Sequence, residues 1–330
     1  MPLNLKDLGI HLAPEGRKNI PDPTVLYDLI IIGGGPAGMT AAVYASRKRF
    51  RALLIAKDLG GQVLWTSDIE NYMGYQYITG QELSKKFGEQ MEANPIDMQM
   101  PDEVEMLKVE PGQIFRVKTK NKKEFTAKSV VIASGKRYRS LGVPGEREFL
   151  GKGVAYCATC DAPLFAGKDV AVIGGGNSAL TAVNDLLKVA NQVKLVNIMP
   201  NLQGDAVLVE KARDPRVELF LGWETVAIKG LDKVEAIQII NRKNKESREL
   251  KVQGVFIEIG LEPNSEFAKG VLLLNEHYEI IVDCSCRTSV IGIFAAGDVT
   301  NVQEKQIIVA AGDGAKASLA AYSYILNRGA

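Results

Sequence analysis

The chain has 330 residues, of which 46% are hydrophobic and 24% are charged, and its formal net charge is +1. This composition is typical of a globular protein, and the length predicts two domains. The balanced and scattered charges exclude a nucleic-acid-binding surface built on a basic tract. No apolar run approaches the roughly 20 residues of a transmembrane helix, so we expect no nucleic-acid partner, no membrane insertion and a cytoplasmic location.

Residues 1–25 lack the pattern of a signal peptide, and we interpret them as an N-terminal extension. A β-α-β unit follows them. The apolar run from Leu29 to Ile32 predicts a buried parallel strand, the alanine-rich stretch after it predicts a helix, and RALLIA predicts a second strand. Asp58 lies slightly beyond the position expected of the acidic residue that binds a ribose hydroxyl in such units.

The turn between the first strand and the helix carries Gly33, Gly35 and Gly38, which fit the pattern G-x-G-x-x-G. Glycine permits a tight turn and lets a pyrophosphate approach the backbone, while the helix N-terminus offers free N–H groups. Because strand, turn and helix occur in the required order, the motif predicts a dinucleotide-binding site.

The same unit recurs in the middle of the chain. Val170 to Ile173 predicts a strand, Gly174, Gly176 and Ala179 form a G-x-G-x-x-A turn, and Leu180 to Ala190 predicts a helix before the strand VKLV. Two copies of one unit predict an α/β fold with two similar, Rossmann-like domains.

The segment after the second copy departs from a nicotinamide-binding site. An NADPH site usually carries a pair of arginines that grip the 2′-phosphate, and an NADH site carries an acid. Here Asn197, Ile198, Met199 and Pro200 follow the strand, with Gln203 further on. The second turn therefore predicts a weak or vestigial nicotinamide site.

The four cysteines occur in two tight pairs. Cys157 and Cys160 lie in CATCD directly before Asp161, and Cys284 and Cys286 lie much later. A C-x-x-C pair can be a redox-active disulfide, a structural disulfide or half of a zinc site. The two pairs are too far apart for a zinc ribbon, so we favour redox chemistry, expect no metal and interpret the second pair as ordinary thiols. Asp161 either handles protons for the redox pair or only caps a helix.

Further motifs occur in the order found in one known family. They are GGGPAG at 33–38, GGQ at 60–62, ENY at 70–72, VVIASG at 130–135, GVPGE at 142–146, YCATCD at 156–161, GGGNSA at 174–179, GVFIEIGLEPN at 254–264 and IFAAGDV at 293–299. From about Tyr27 onward, the chain resembles the low-molecular-weight, thioredoxin-reductase-like FAD flavoproteins, of the kind that lacks the NADPH-gripping arginines.

The resemblance implies a FAD domain at 26–138 and 270–330, which is split by an NAD(P)-type domain at 139–269 that carries CATCD. The residues implied in FAD binding are Gly33, Gly35, Pro36, Ala37, Gly38, Gly61, Gln62, Asn71, Gly297, Asp298, Lys305, Gln306 and Ile307. The weak nicotinamide site would comprise Gly174, Gly176, Asn177 and Ser178.

The resemblance also implies the catalytic roles. Cys160 would face the flavin, Cys157 would attack the disulfide of a thioredoxin- or glutaredoxin-like partner, and Asp161 would move protons. Rotation of the inserted domain would let the pair meet the flavin and the partner in turn. Members of the family are typically homodimers that associate through their FAD domains.

The identity of the electron donor stays open at this point. Because the arginines are missing, we expect a donor other than NADPH, such as ferredoxin, a deazaflavin or a donor not yet identified. The alternatives are an ordinary NADPH-thioredoxin reductase, a flavin-dependent dithiol oxidase, and a flavoprotein module without catalytic function.

Overall fold

The computed structural model describes residues 20–66 and 69–328, apart from the side chains of Trp65 and Thr159. Most of the predicted N-terminal extension lies outside the described residues. The chain divides into two compact units. The split unit comprises the described parts of Met1–Leu64, Gln81–Lys136 and Pro263–Ala330, and the inserted unit comprises those of Trp65–Gly80 and Arg137–Glu262.

The split unit is built on a seven-stranded sheet. Its strands are Leu26–Ile32 (β1), Ala52–Ile55 (β2), Asp97–Gln99 (β3), Val104–Glu110 (β4), Ile114–Thr119 (β5), Glu124–Ile132 (β6) and Ile293–Ala295 (β17). The order is β3-β2-β1-β6-β5-β4, and β17 also pairs with β6. Strands β1, β2, β3, β6 and β17 are parallel, whereas β4 and β5 extend the sheet as an antiparallel ribbon.

Helices and two hydrophobic clusters complete this unit. Its helices are Pro36–Arg47 (α1), Gly80–Glu92 (α2) and Ile307–Arg328 (α6), with 3₁₀ turns at Gly61–Trp65, Glu266–Ala268 and Gly297–Val299. Successive side chains of a strand point to opposite faces, so Leu29 and Ile31 pack with α1 and α6 while Ile30 and Ile32 pack on the other face. Burial on both faces explains the continuous apolar run in β1.

The inserted unit has a five-stranded parallel sheet and a three-stranded antiparallel sheet. The first contains Val154–Ala155 (β8), Asp169–Ile173 (β9), Gln192–Asn197 (β10), Val217–Leu221 (β11) and Gly254–Ile257 (β15), in the order β11-β10-β9-β15-β8. The second contains Trp223–Gly230 (β12), Val234–Asn241 (β13) and Ser247–Lys251 (β14). Two short strands, Lys136–Tyr138 (β7) and Leu261–Pro263 (β16), pair at the ends of the inserted unit.

The helices of the inserted unit are Ala158–Asp161 (α3), Asn177–Leu186 (α4) and Ala206–Lys211 (α5), with a 3₁₀ turn at Ala162–Phe165. Helix α4 begins earlier than the predicted Leu180 because Gly176 is its N-cap, so the turn residues after it are already helical. One core cluster packs the parallel sheet against α4, and a second packs it against the antiparallel sheet. These layers confirm the predicted α/β fold with two Rossmann-like domains.

No helix within residues 20–66 and 69–328 is both long enough and apolar enough to cross a bilayer.

Candidate active site

The first glycine-rich turn of the split unit has the geometry of a dinucleotide cradle. Gly33 has φ +112°, and a Cβ there would lie 2.2 Å from the carbonyl oxygen of Ala133. A Cβ on Gly38 would lie 1.9 Å from the carbonyl oxygen of Gly33, so the helix can approach the strand only without a side chain. A Cβ on Gly35 would meet no atom within 4 Å. The open space at Gly35 is where a pyrophosphate would approach the backbone.

Three predicted FAD-binding residues lie close to this turn in the chain fold. Pro36 and Ala37 are the first residues of α1. Proline is well tolerated there, because the N–H group that it lacks would have no acceptor within the helix. A Cβ on Gly61 would lie 3.6 Å from the Cα of Gly35, and the Gly61 N–H donates to the Asp58 carboxylate at 3.0 Å. Asp58 therefore orients the GGQ segment.

The other predicted FAD-binding residues are distributed over both units. The Gln62 side chain donates to the carbonyl oxygen of Lys136 at 2.6 Å, and Gln306 precedes α6, which begins at Ile307. Asn71 lies in the stretch Trp65–Gly80, which belongs to the inserted unit. Its predicted role in FAD binding stays a prediction.

The carboxylate of Asp298 suits a hydroxyl-bearing ligand. It lies in the turn Gly297–Val299, where a Cβ on Gly297 would be 3.1 Å from the Cβ of Ala37. Burial raises the pKa of Asp298, although the positive charge of Lys305 opposes the shift. Its side chain accepts no hydrogen bond from the described residues, so a partly buried acceptor is available beside the start of α1. This arrangement fits FAD.

A largely buried charge cluster lies in the same unit, and of its charged members only Lys305 belongs to a site predicted from the sequence. The Glu279 carboxylate accepts hydrogen bonds from Lys136 at 2.5 Å and from Asn275 at 2.6 Å, and it pairs with Lys305 at 3.3 Å. These charged side chains are between 9% and 18% exposed. Burial opposes ionisation, yet the Lys136 hydrogen bond keeps the pKa of Glu279 lowered. Burial and the Lys136 charge lower the pKa of Lys305.

The second glycine-rich turn keeps the same geometry in the inserted unit. Gly174 has φ +141°, and a Cβ there would lie 2.3 Å from the carbonyl oxygen of Glu258. A Cβ on Gly176 would meet no atom within 4 Å. Asn177 and Ser178 form the first residues of α4. The backbone of this turn therefore still offers a nucleotide cradle.

The loop after β10 folds back onto this second turn. The buried Asn197 side chain lies against Gly175, where a Cβ would be 2.3 Å from its Nδ2, and that Nδ2 donates to the carbonyl oxygen of Asn201 at 2.8 Å. The Gln203 N–H donates to the carbonyl oxygen of Gly175 at 2.7 Å. The segment from Asn197 to Asp205 contains no Lys or Arg.

The CATCD cysteines form a disulfide. Cys157 and Cys160 are bonded, with their Cα atoms 5.4 Å apart, and Cys157 is the N-cap of α3. Asp161 ends this short helix, is buried, and donates its N–H to the carbonyl oxygen of Cys157 at 3.0 Å. Of the three interpretations from the sequence, the bond disfavours the zinc site, because zinc binds thiolates rather than disulfide sulfurs. In the described part of the chain, no three or more His, Cys, Asp or Glu side chains are grouped so that they could hold a metal ion.

The second pair of cysteines is not bonded. Cys284 is exposed and Cys286 is buried, and both are free thiols. Burial raises the pKa of the Cys286 thiol to about 11, so this thiol stays protonated near neutrality.

Two further groups of the inserted unit support the redox motif. Tyr156, directly before Cys157, stacks on Tyr138 with ring centroids 4.6 Å apart and donates its hydroxyl to Glu146 at 2.6 Å. The carboxylate of Glu258 accepts the N–H of Ala158 at 3.4 Å. The sequence does not indicate a role for Glu146 or Glu258, because each is a single residue within a longer motif, GVPGE or GVFIEIGLEPN.

Comparisons with known proteins agree with this geometry. The family model of the pyridine nucleotide-disulphide oxidoreductases matches residues 27–314. A structure described as thioredoxin reductase from Streptococcus pyogenes MGAS5005 is 37% identical, has a TM-score of 0.85, and covers 92% of this chain and 99% of its own.

Curated relatives are similar over most of this chain. One from Ferdinandcohnia aciditolerans, named NADH dehydrogenase, is 42% identical over 302 residues, which are 91% of this chain and 58% of the relative. An alkyl hydroperoxide reductase subunit, that of Escherichia coli K12, is 40% identical over 306 residues, again 91% of this chain and 58% of the relative. The chain thus spans less than two thirds of the length of these relatives.

These findings confirm the predicted resemblance to the thioredoxin-reductase-like members of this family, whereas the redox role of the Cys157–Cys160 disulfide stays a prediction. Flavin binding follows from membership, because the matched family consists of flavoproteins. The chain belongs to the pyridine nucleotide-disulphide oxidoreductase family.

Proposed function

We propose that this protein is an FAD-dependent disulfide reductase that passes electrons through Cys157 and Cys160 to a thioredoxin- or glutaredoxin-like protein, and that its electron donor is not NADPH. The observation that carries the proposal is the Cys157–Cys160 disulfide in a unit that retains the dinucleotide turn. FAD, when bound, would supply the electron pair that reduces this disulfide.

The split unit would hold the FAD, in the domain that the family resemblance places at 26–138 and 270–330. The proposed contacts are Gly33, Gly35, Pro36, Ala37, Gly38, Gly61, Gln62, Asn71, Gly297, Asp298, Lys305, Gln306 and Ile307. The open cradle at Gly35 and the available carboxylate of Asp298 support this assignment. Association of two chains through this unit is proposed from the family resemblance alone.

The redox roles follow the resemblance. Reduction of the disulfide breaks the S–S bond and takes up two electrons and two protons. Cys157 would then attack the disulfide of the protein partner, and Cys160 would complete the exchange. Asp161, buried at the end of α3, would give and take the protons. The proposal includes a change of domain orientation between the two half-reactions.

The exclusion of NADPH rests on the loop after β10. A 2′-phosphate is bound by cationic groups, most often by arginine. At that position the chain offers Asn197 and the exposed apolar side chains of Ile198 and Met199. Gly174, Gly176, Asn177 and Ser178 would then form a weak nicotinamide site. The proposed electron donors are ferredoxin, a deazaflavin or a donor not yet identified.

NADH is a second candidate electron donor, because curated relatives at 42% and 40% identity are named NADH dehydrogenase. The neutral loop disfavours the phosphate of NADPH but does not repel an unphosphorylated ribose. By the same comparison, the relatives named as alkyl hydroperoxide reductase subunits favour a peroxide-reducing system as a second candidate acceptor. Oxygen consumption with a small dithiol would instead favour a dithiol oxidase.

An anaerobic titration of the FAD-loaded protein tests the electron donor. We expect NADPH at micromolar levels to leave the flavin absorbance unchanged, while dithionite or reduced ferredoxin bleaches it. Bleaching by NADH would favour the second candidate donor. The Cys284→Ser, Cys286→Ser double variant is the matched control and should respond to each donor as the wild type does. Rapid bleaching by micromolar NADPH would overturn the proposal.

A further inference from the structure

Glu258 links the redox helix to the second glycine turn. It directly follows β15, and its carboxylate accepts the N–H of Ala158, the first residue of α3, at 3.4 Å. The backbone carbonyl oxygen of Glu258 would lie 2.3 Å from a Cβ placed on Gly174. One residue thus contacts the helix that begins after Cys157 and the turn that would carry a nucleotide.

Among the described residues, no cationic group pairs with this carboxylate. Burial raises the pKa of Glu258 to about 7, and the Ala158 N–H only partly offsets the shift. The ionisable groups on the neighbouring elements are Cys157, Cys160 and Asp161 on α3, Tyr156 before it, and Arg137, Arg139 and Glu262 on the β7–β16 pair. Both arginines donate hydrogen bonds to the Glu262 carboxylate, at 2.9 and 3.0 Å.

We propose that Glu258 is a positioning residue of the redox pair, which controls how readily the Cys157 thiol ionises once the disulfide is reduced. The inference rests on the proposed redox role of the pair. When the S–S bond takes up two electrons and two protons, Cys157 must lose its proton before it can attack a partner's disulfide.

The direction of the effect follows from simple electrostatics. A thiolate is stabilised by neighbouring N–H donors and disfavoured by a neighbouring negative charge. An ionised Glu258 takes up the Ala158 N–H and adds a negative charge beside Cys157, so it disfavours the thiolate. A protonated Glu258 adds no charge. The two groups therefore titrate as a coupled pair, and ionisation of Cys157 extends over a wider pH range than a single group would need.

Alkylation kinetics test this proposal without electron donor, flavin turnover or protein partner. The protein is reduced with dithiothreitol under anaerobic conditions, freed of reductant, and treated with iodoacetamide across a pH series. Fragment mass spectra then separate labelling of Cys157 from that of Cys160. Glu258→Gln removes the charge and keeps the shape, and Glu249→Gln is the matched control on an exposed carboxylate of the same unit.

We expect Glu258→Gln to raise the Cys157 alkylation rate near neutral pH by about threefold to tenfold and to give a single ionisation step. Glu249→Gln should reproduce the wild-type curve. Superimposable curves for Glu258→Gln and wild type would overturn the inference, as would an equal shift in Glu249→Gln. If Glu258→Gln does not fold, the wild-type curve decides alone, because a single ionisation step in it contradicts the coupling. Failure of the donor titration leaves this result untouched.

Discussion

Asn177 and Asp205 form two hydrogen bonds with each other across the second glycine turn. The Asp205 N–H donates to the Oδ1 of Asn177 at 2.8 Å, and the Nδ2 of Asn177 donates to the Asp205 carboxylate at 3.2 Å. Asn177 begins α4 and Asp205 caps α5, so the pair fixes the loop between β10 and α5 over the turn. The loop that would recognise a 2′-phosphate is therefore ordered, and it carries no cation.

Arginines introduced into this loop should create NADPH use. Ile198→Arg and Met199→Arg, singly and together, place guanidinium groups at exposed positions after β10. One charge-assisted contact to a phosphate stabilises binding by about 1.5–3 kcal/mol, which corresponds to roughly tenfold or more in affinity. We expect at least that gain in the apparent affinity for NADPH, measured by anaerobic flavin reduction.

The control for this prediction adds the same charge elsewhere. Leu231 lies in the turn between β12 and β13 and is 83% exposed, so Leu231→Arg is the control variant. It should leave NADPH use as in the wild type. An equal gain in Leu231→Arg, or no gain in the loop variants, would show that the loop does not set the preference.

Two glycines of the first turn should respond differently to alanine. Gly35→Ala adds a methyl group to open space at φ −76°, so its unfolding free energy should stay within about 0.5 kcal/mol of the wild type. The same methyl group should obstruct the cradle and weaken FAD retention. Gly38→Ala forces a Cβ against the Gly33 carbonyl, so it should lose at least about 1–3 kcal/mol of stability.

Denaturant unfolding of the apoprotein and FAD release on gel filtration separate the two effects. Normal FAD retention in a well-folded Gly35→Ala variant would contradict the assignment of the first turn to FAD.

Glu279→Gln should destabilise the split unit, because it leaves the largely buried Lys136 and Lys305 without their carboxylate. Breaking a buried ion pair commonly costs about 3–5 kcal/mol, and the partial exposure here argues for the lower end. Glu249→Gln is the matched control, since it breaks the exposed Lys229–Glu249 pair, which is worth about 1 kcal/mol or less.

The pH dependence of this loss has a definite sign. The pKa of Glu279 is lowered from 4.5 in the folded protein, so its contribution is fully present above the unfolded value. This contribution to the free energy of unfolding is lost as the pH falls through the lowered pKa that Glu279 has in the folded protein. The gap between wild type and Glu279→Gln in denaturant unfolding should therefore narrow under acidic conditions. A gap that does not change with pH would exclude an electrostatic origin.

The fold and both glycine turns could be predicted because each is a local pattern. A strand, a G-x-G-x-x-G turn and a helix are consecutive in the chain, and the CATCD pair is separated by two residues. The Lys136–Glu279 pair joins residues 143 positions apart, and the Glu258–Ala158 contact joins residues 100 apart. Neither partner predicts the other in sequence, because only the folded sheets bring them together.

The Asn197 side chain is an intermediate case. Its position after β10 could be read from the sequence, and so could the missing arginines. Its contact with Gly175 and its hydrogen bond to Asn201 depend on the path of the loop, which has no regular pattern.

The central claim is that Cys157 and Cys160 exchange electrons with the flavin of the same protein, and its most direct test is electron uptake. The FAD-loaded protein is titrated with dithionite under anaerobic conditions, beside a Cys157→Ser, Cys160→Ser variant and the Cys284→Ser, Cys286→Ser control. We predict that the wild type and the control take up one electron pair more per chain than the Cys157→Ser, Cys160→Ser variant. Equal uptake by all three proteins would contradict the account.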